Sequence, residues 1–262
     1  MTQTDPTTTS GILAYSTAIT RLQQKVIESQ LETLGVIAGL MTEAVMAERR
    51  IFLFGTGHAH MMAEESYFRA GGIAAAVPIF TPQVLMLHES ALMSSHLERM
   101  AGLAGPILDE HDPQPGELLF INADSGSNAL PVQMAIEARQ RGLRTVGVCS
   151  LAYAQAAPVS AVGKKLYEVT EFVLDNGGTP GDAMLPVEGL PWRVAGSSTI
   201  IAATLWNCLL AETVMRLAKA GAETPIFASY NMPGAIEHNK TVLEKWSRIN
   251  PHLPAQTIKS NH

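Results

Sequence analysis

Two short apolar runs, each ending in a glycine- or serine-rich turn and each followed by a helical pattern, constrain the fold of this chain more than any other feature. The first is IFLFG (51–55), continued by TGHAH. The second is ELLFIN (117–122), continued by ADSGSN and then LPVQMAIEARQRG, with Pro131 in the first helical turn. A short apolar run without polar alternation predicts a strand buried on both faces. LRTVGVC (143–149) and EFVLD (171–175) repeat the pattern. AAVPIF and VLML read as strands or connectors, and TPIFAS as a last strand. Strands alternating with helices predict an α/β fold with a parallel sheet covered on both sides.

The helices follow from three- and four-residue apolar spacing. Tyr15 to Glu48 reads as one helical segment that Gly35 and Gly39 bend or divide. His58 to Ala70 reads as a helix closed by Gly71 and Gly72. HLERMAGLAGPILDEH reads as a helix interrupted near Gly105-Pro106. Residues 197–219 form an apolar helix suited to a core or an interface, and AIEHNKTVLEKWSRI forms a last helix. Pro158 to Lys165 reads as an exposed connection.

Composition narrows the function class. The formal charge of −6 over 262 residues argues against a nucleic-acid surface, which needs a basic stripe. An anionic ligand would have to be held by local groups. With Cys149 and Cys208 as the whole cysteine content, a reducing, cytoplasmic setting is expected. MTQTDPTTTS reads as a flexible tail and not as a signal peptide. The run STIIAATLWNCLLAETVM carries Asn207 and Glu212 and suits a core helix better than a membrane span.

The first turn is not a dinucleotide loop. Gly55 and Gly57 fit G-x-G-x-x-G/A, but His60 stands at the third small position. No carboxylate follows near Val77-Pro78-Ile79, where a ribose partner would fall. Neither a Walker A loop nor a G-x-S-x-G elbow occurs. What remains is backbone chemistry: glycines allow close approach, and amides at a helix start attract an anion. Either turn alone reads as an ordinary capped turn. Two of them, at the carboxyl edge of one parallel sheet, would form an anion cradle from Gly55, Thr56, Gly57, His58 and Ala59 with Ser125, Gly126, Ser127 and Asn128.

These motifs resemble the sugar isomerase (SIS) family, and most closely a poorly characterised branch of about this length. The resemblance is carried by FGTGHAH (54–60), AEE (63–65), RAGG (69–72), MLHE (86–89), LER (97–99) and ADSGSN (123–128). The DNG…GDA…EGL loop (175–190) and GAIEHN (234–239) complete it. It implies a three-layer sandwich with about five parallel strands flanked by helices, in a single domain over 11–262. Within that domain, a helical extension (11–48), an α/β core (49–230) and a C-terminal helix (235–248) are expected. It also implies phosphosugar binding and a homodimer or larger assembly. This chain departs from the pattern at Ala59, Ala123, Asp124 and Ser127, where the family or the branch has Ser, Ser, Asn and Arg. Each lost hydroxyl donor to a charged group would cost about 1.5–3 kcal/mol. Asp124, if it faced a dianion, would repel it.

Aldose–ketose isomerisation needs a base near neutral pKa, an acid for the oxygen and often a ring-opening group. Glu64 and Glu65 follow the first turn, and helical spacing would put His58, Met62 and Glu65 on one face, making Glu65 the candidate base. His88 and Glu89 follow VLML and read as a cleft pair or as a helix cap. The resemblance makes His238 a candidate acid or ring opener. Ser197, Ser198 and Thr199 would cap the apolar helix or offer hydroxyls to a ligand. The loop holding Asp175, Asn176, Gly181 and Asp182 suits a lid or subunit contact. His58 and His60, two apart, would not chelate together from a helix, so no metal and no cofactor are expected. The expected ligand is an anionic sugar or sugar phosphate, with no nucleic acid or membrane partner. The expected activity is cofactor-free isomerisation, and the alternative is a non-catalytic phosphosugar sensor of the same fold.

Overall fold

The computed structural model describes residues 10–80 and 91–255. Helices α1 (Ser10–Ser29) and α2 (Leu31–Met46) lead into β1 (Ile51–Gly55). A 3₁₀ turn (Gly57–His60) and α3 (Met61–Ser66) connect to β2 (Ala76–Pro78). Then follow α4 (Ala91–Leu97), α5 (Ala104–His111), β3 (Leu118–Asn122), α6 (Ala129–Gln140) and β4 (Arg144–Cys149). Next come α7 (Leu151–Ala156), α8 (Leu166–Val169) and β5 (Phe172–Asp175). A two-stranded antiparallel hairpin, β6 (Ala183–Leu185) and β7 (Val194–Gly196), precedes α9 (Ser198–Lys219) and α10 (Ala235–Trp246).

The main sheet has five parallel strands in the order β2-β1-β3-β4-β5. Its two-residue period sorts side chains into two cores. Ile51, Leu53, Leu118, Phe120, Val146 and Val148 face the helices α1, α2 and α9. Phe52, Phe54, Leu119 and Ile121 face α5 and α6. Trp206 of α9 closes edge-on over Phe120 with ring centroids 5.7 Å apart. The expected three-layer α/β architecture is therefore present.

Several boundaries differ from expectation. The first helical segment breaks at Gln30, whose side chain donates to the Asp175 carbonyl at 2.8 Å and accepts from the Asp175 amide. Gly35 and Gly39 do not divide it; they lie inside α2 where the Arg216 guanidinium passes, 3.6 and 3.2 Å from where a Cβ would stand. The helix after the first turn ends at Ser66, and Phe68 takes a left-handed φ of 37°. Gly105-Pro106 sits in the first turn of α5, where proline is tolerated, and the break falls before it. TPIFAS adds no strand; it makes a single antiparallel bridge, Ile73 to Ile226. VLML lies outside the described residues.

At the amino edge of the sheet one carboxylate ties two strands together. Glu117 is 4% exposed. It accepts from the Arg50 amide (3.0 Å), Arg50 Nε (2.8 Å), Arg50 Nη2 (2.9 Å) and the Gln114 amide (2.7 Å). Removing one partner of a buried pair leaves the other charge uncompensated. Glu117→Ala is expected to lower stability by about 3–5 kcal/mol, read by urea denaturation. A loss below about 1 kcal/mol would show that water replaces the carboxylate there.

Candidate anion site at the carboxyl edge

In the order β2-β1-β3-β4-β5 the chain leaves β1 toward one edge and β3 toward the other. The connections after β1 and β3 therefore part from each other, and open α/β sheets bind ligands in the crevice this creates. Gly55 and Asn122 are register partners at the last step of the β1–β3 ladder. Both glycine turns thus start side by side. Asn122 Nδ2 donates to the Ala59 carbonyl at 2.9 Å, so the end of β3 fastens the turn after β1.

Each turn depends on a glycine. Gly57 and Gly126 have φ of 55° and 54°, a region that costs other residues strain. Gly55 is needed for space, because a Cβ there would lie 2.3 Å from the Ala59 carbonyl oxygen. Above the turns lies a cavity of about 630 Å³. Thr56, Gly57, His58 and Ala59 line it from one side, and Ser125, Ser127 and Asn128 from the other. Gly55 and Gly126, expected in the cradle, are not among its lining residues. Asn128 precedes α6, whose first-turn amides have no acceptors within the helix. One of them, Leu130, is already taken by the Glu98 carbonyl at 3.0 Å.

The remaining wall comes from residues that spacing did not single out for binding. Glu98, Arg99, Tyr153, Pro158 and Asp182 line the same cavity. Thr56 Oγ1 donates to Glu98 Oε2 at 2.9 Å, and Glu98 Oε1 pairs with Arg99 at 2.9 Å. Asp182 caps α9: it accepts from the Ser197 and Ser198 amides at 2.9 and 2.8 Å and from Ser198 Oγ at 2.9 Å. Ser197 does not cap through its own hydroxyl. The LER and GDA segments had marked these stretches without giving the side chains a role.

Among the described residues Asp124 is the one carboxyl of the wall with an uncommitted oxygen. Its Oδ1 accepts from Asn176 Nδ2 at 2.7 Å, while Oδ2 is buried without a donor. Burial pushes its pKa up to about 6, the Asn176 hydrogen bond opposes the shift, and the charges of Asp182 and Asp175 add to it. This carboxyl therefore changes charge at about pH 6, well above the usual carboxylate range. Behind Ser127 stands Lys165, which is 5% exposed. The segment Pro158 to Lys165 is thus not simply an exposed connection: its first residue lines the cavity and its last is buried.

The candidate proton-transfer groups are not gathered in this cavity. Glu65 pairs with Arg69, which follows the end of α3, and accepts from Asn207 Nδ2 of α9 at 3.0 Å. Glu64 points outward, 3.8 Å from His60 Nε2. The expected shared face of His58, Met62 and Glu65 does not form. His58 belongs to the 3₁₀ turn Gly57–His60, whereas Met62 and Glu65 belong to α3, so the three do not share one continuous α-helix. Met62 is buried in the core, while His58 stays at the cavity. His60 is buried, with Nδ1 bonded to the Gly57 carbonyl, so it and His58 diverge. His238 Nε2 bonds the Ile226 carbonyl at 2.7 Å, away from the cavity wall. His88 and Glu89 lie outside the described residues.

The chain is 34% identical over 237 residues to a UPF0309 protein of Shouchella clausii, covering 90% of this chain and 96% of that one. It is 39% identical over 216 residues to a UPF0309 protein of Brucella canis, covering 82% and 88%. Among solved structures, a phosphoheptose isomerase from Francisella tularensis superposes with a TM-score of 0.50 at 10% identity, over 79% of this chain and 97% of that one. The family described as SIS domain matches residues 14–150, which take in both glycine turns and four of the five strands of the main sheet. With that match and those relatives, the chain belongs to the SIS domain family.

Proposed function

We infer that this protein binds a phosphorylated or otherwise anionic sugar in the cavity between the two turns and interconverts its aldose and ketose forms. The observation that carries this reading is the meeting of the Gly57 and Gly126 turns at one switch point of the sheet, over one cavity. The similarity to a phosphoheptose isomerase fold is consistent with it. The reaction moves one proton from C2 to C1 and one from O2 to O1 through an enediol, so it needs no redox partner. We assign the base to Glu65 and the acid and ring-opening role to His238 or His88.

Glu65 lies beside the outer face of α9, where Asn207 also borders an open groove of about 620 Å³ lined by Ile200, Ala203, Cys208 and Ala211. We place a second copy of the chain on this face, so that the working site is completed between subunits. A large exposed apolar strip supports such a contact: Met215 is 68% and Ile200 38% exposed. Sedimentation at micromolar concentration should give a dimer or larger species, and a monomer would remove the shared-site arrangement. Two unpaired cysteines, one buried and one exposed, fit a cytoplasmic setting.

A second reading, a sensor that binds without turnover, is favoured by one observation: Glu98 and Asp182 in the cavity are already committed to Thr56, Arg99 and the α9 cap. Solvent exchange separates the two. Ketose phosphates of a pentose, a hexose and a heptose, incubated in deuterium oxide, should gain label at the carbon next to the carbonyl. Glu65→Gln should slow this by about 10²–10⁴-fold. Ligand-dependent thermal stabilisation with no label would establish the sensor.

A further inference from the structure

Lys165 is a buried cation behind the wall of the candidate anion site, bonded to three residues that line it. Its ammonium has three N–H donors, and three acceptors take them: the Ala157 carbonyl, the Pro158 carbonyl at 3.0 Å and Ser127 Oγ at 3.4 Å. Ser127 in turn donates to the Pro158 carbonyl. The next residue fastens the same turn, since the Leu166 amide donates to the Gly126 carbonyl at 2.8 Å. Among the described residues no carboxylate lies within ion-pair reach of this ammonium. Glu168, the nearest acid in sequence, is spent on the Lys165 backbone amide at 2.6 Å.

A buried charge without a counter-ion is costly, and an anion seated nearby offsets that cost. The cavity itself is poor in positive charge. Among the described residues Arg99 is the one arginine or lysine of its lining, and it is paired with Glu98. Position 127, on the second turn, holds serine and so adds no charge of its own. The ammonium behind it acts at a distance of one side chain, through a region of low dielectric where a charge is felt more strongly than in water.

We propose that Lys165 sets the charge specificity of the site: its buried ammonium, held behind Ser127, makes the cavity select the phosphorylated over the unphosphorylated form of its sugar. Lys165 is a positioning residue, because Ser127 and the two carbonyls stand between it and the ligand. This inference rests on the reading that an anionic group of the ligand sits on the second turn.

The test compares ribulose, fructose and sedoheptulose, each free and phosphorylated, by calorimetric titration of the full chain. Wild type should prefer a phosphorylated form. Lys165→Met should reduce that preference by about 10–100-fold while the affinity for the free sugar stays within a few-fold. Lys165→Arg should restore most of it. Should the Met variant not fold, Lys165→Gln, which keeps donors for the carbonyls, carries the same expectation. A preference that survives in the Met or Gln variant overturns the proposal. So does an equal loss for both forms, which is the mark of a merely structural lysine, or a failure of arginine to rescue. If wild type shows no preference for phosphate, the anionic-ligand reading fails and the proposal falls with it, a result distinct from any seen only in the variants.

Discussion

Gly55→Ala is expected to abolish sugar-phosphate binding and to cost the fold about 2–4 kcal/mol. The added methyl would stand 2.3 Å from the Ala59 carbonyl oxygen, 2.5 Å from its carbon and 2.8 Å from the His60 nitrogen. All three are backbone atoms, so no rotamer change relieves the clash. The turn must open, and the Asn122 to Ala59 hydrogen bond that joins it to β3 opens with it. Gly126→Ala gives a graded comparison. There the methyl meets the Ala154 Cβ at 3.2 Å, and the main penalty is the left-handed φ of 54°, about 1–2 kcal/mol. Chemical denaturation with and without inorganic sulfate reads both effects. A Gly55→Ala protein that is as stable as wild type and still binds sulfate would show that the first turn is not part of the cradle.

Asp124→Asn is expected to do the opposite, stabilising the protein and tightening anion binding near neutral pH. Burial raises the Asp124 pKa from 3.8 in the unfolded chain to about 6 in the folded one. The folded state therefore holds this proton more tightly than the unfolded state. Its contribution is fully present below the unfolded value and is lost as pH rises toward the folded value. Above about pH 6 the folded protein carries a buried charge that costs about 1–3 kcal/mol, which asparagine removes. The gain from the substitution should thus be present at about pH 8 and shrink as pH falls below the folded pKa. Sulfate keeps its charge over this range, so its affinity for wild type should rise on acidification as Asp124 is neutralised. In the Asn variant that part of the rise should vanish. Equal sulfate affinity and equal pH dependence in the two proteins would place the Asp124 carboxylate outside the field of the ligand.

Strands β1, β3 and β4 were legible because each is buried on both faces and so reads as an apolar run, while the edge strand β5, in which only Leu174 is buried, showed only as the short run EFVLD. The apolar run in TPIFAS looked the same, yet it meets the Gly71–Ala74 stretch through one bridge only, with the Phe227 amide donating to the Gly72 carbonyl, and a run that short carries no record of its partner. The break at Gln30 was hidden for a related reason: what ends α1 is a side chain reaching Asp175, which lies 145 residues away. The change from a 3₁₀ turn at Gly57–His60 to α3 at Met61 was not legible either, nor was the contact that holds Glu65 on Asn207 of α9. Asp182 and Arg99 in the wall and Lys165 behind it could not be assigned from spacing, because each arrives from a different connection.

Local chemistry alone settled the alternation of buried strands and helices and the two glycine turns, because burial on both faces and tight backbone turns are demands on neighbouring residues. The meeting of those turns over one cavity, the charge of its wall and the direction in which Glu65 points were decided by strand order and helix register. Those depend on contacts between segments far apart in the chain, and no local pattern encodes them.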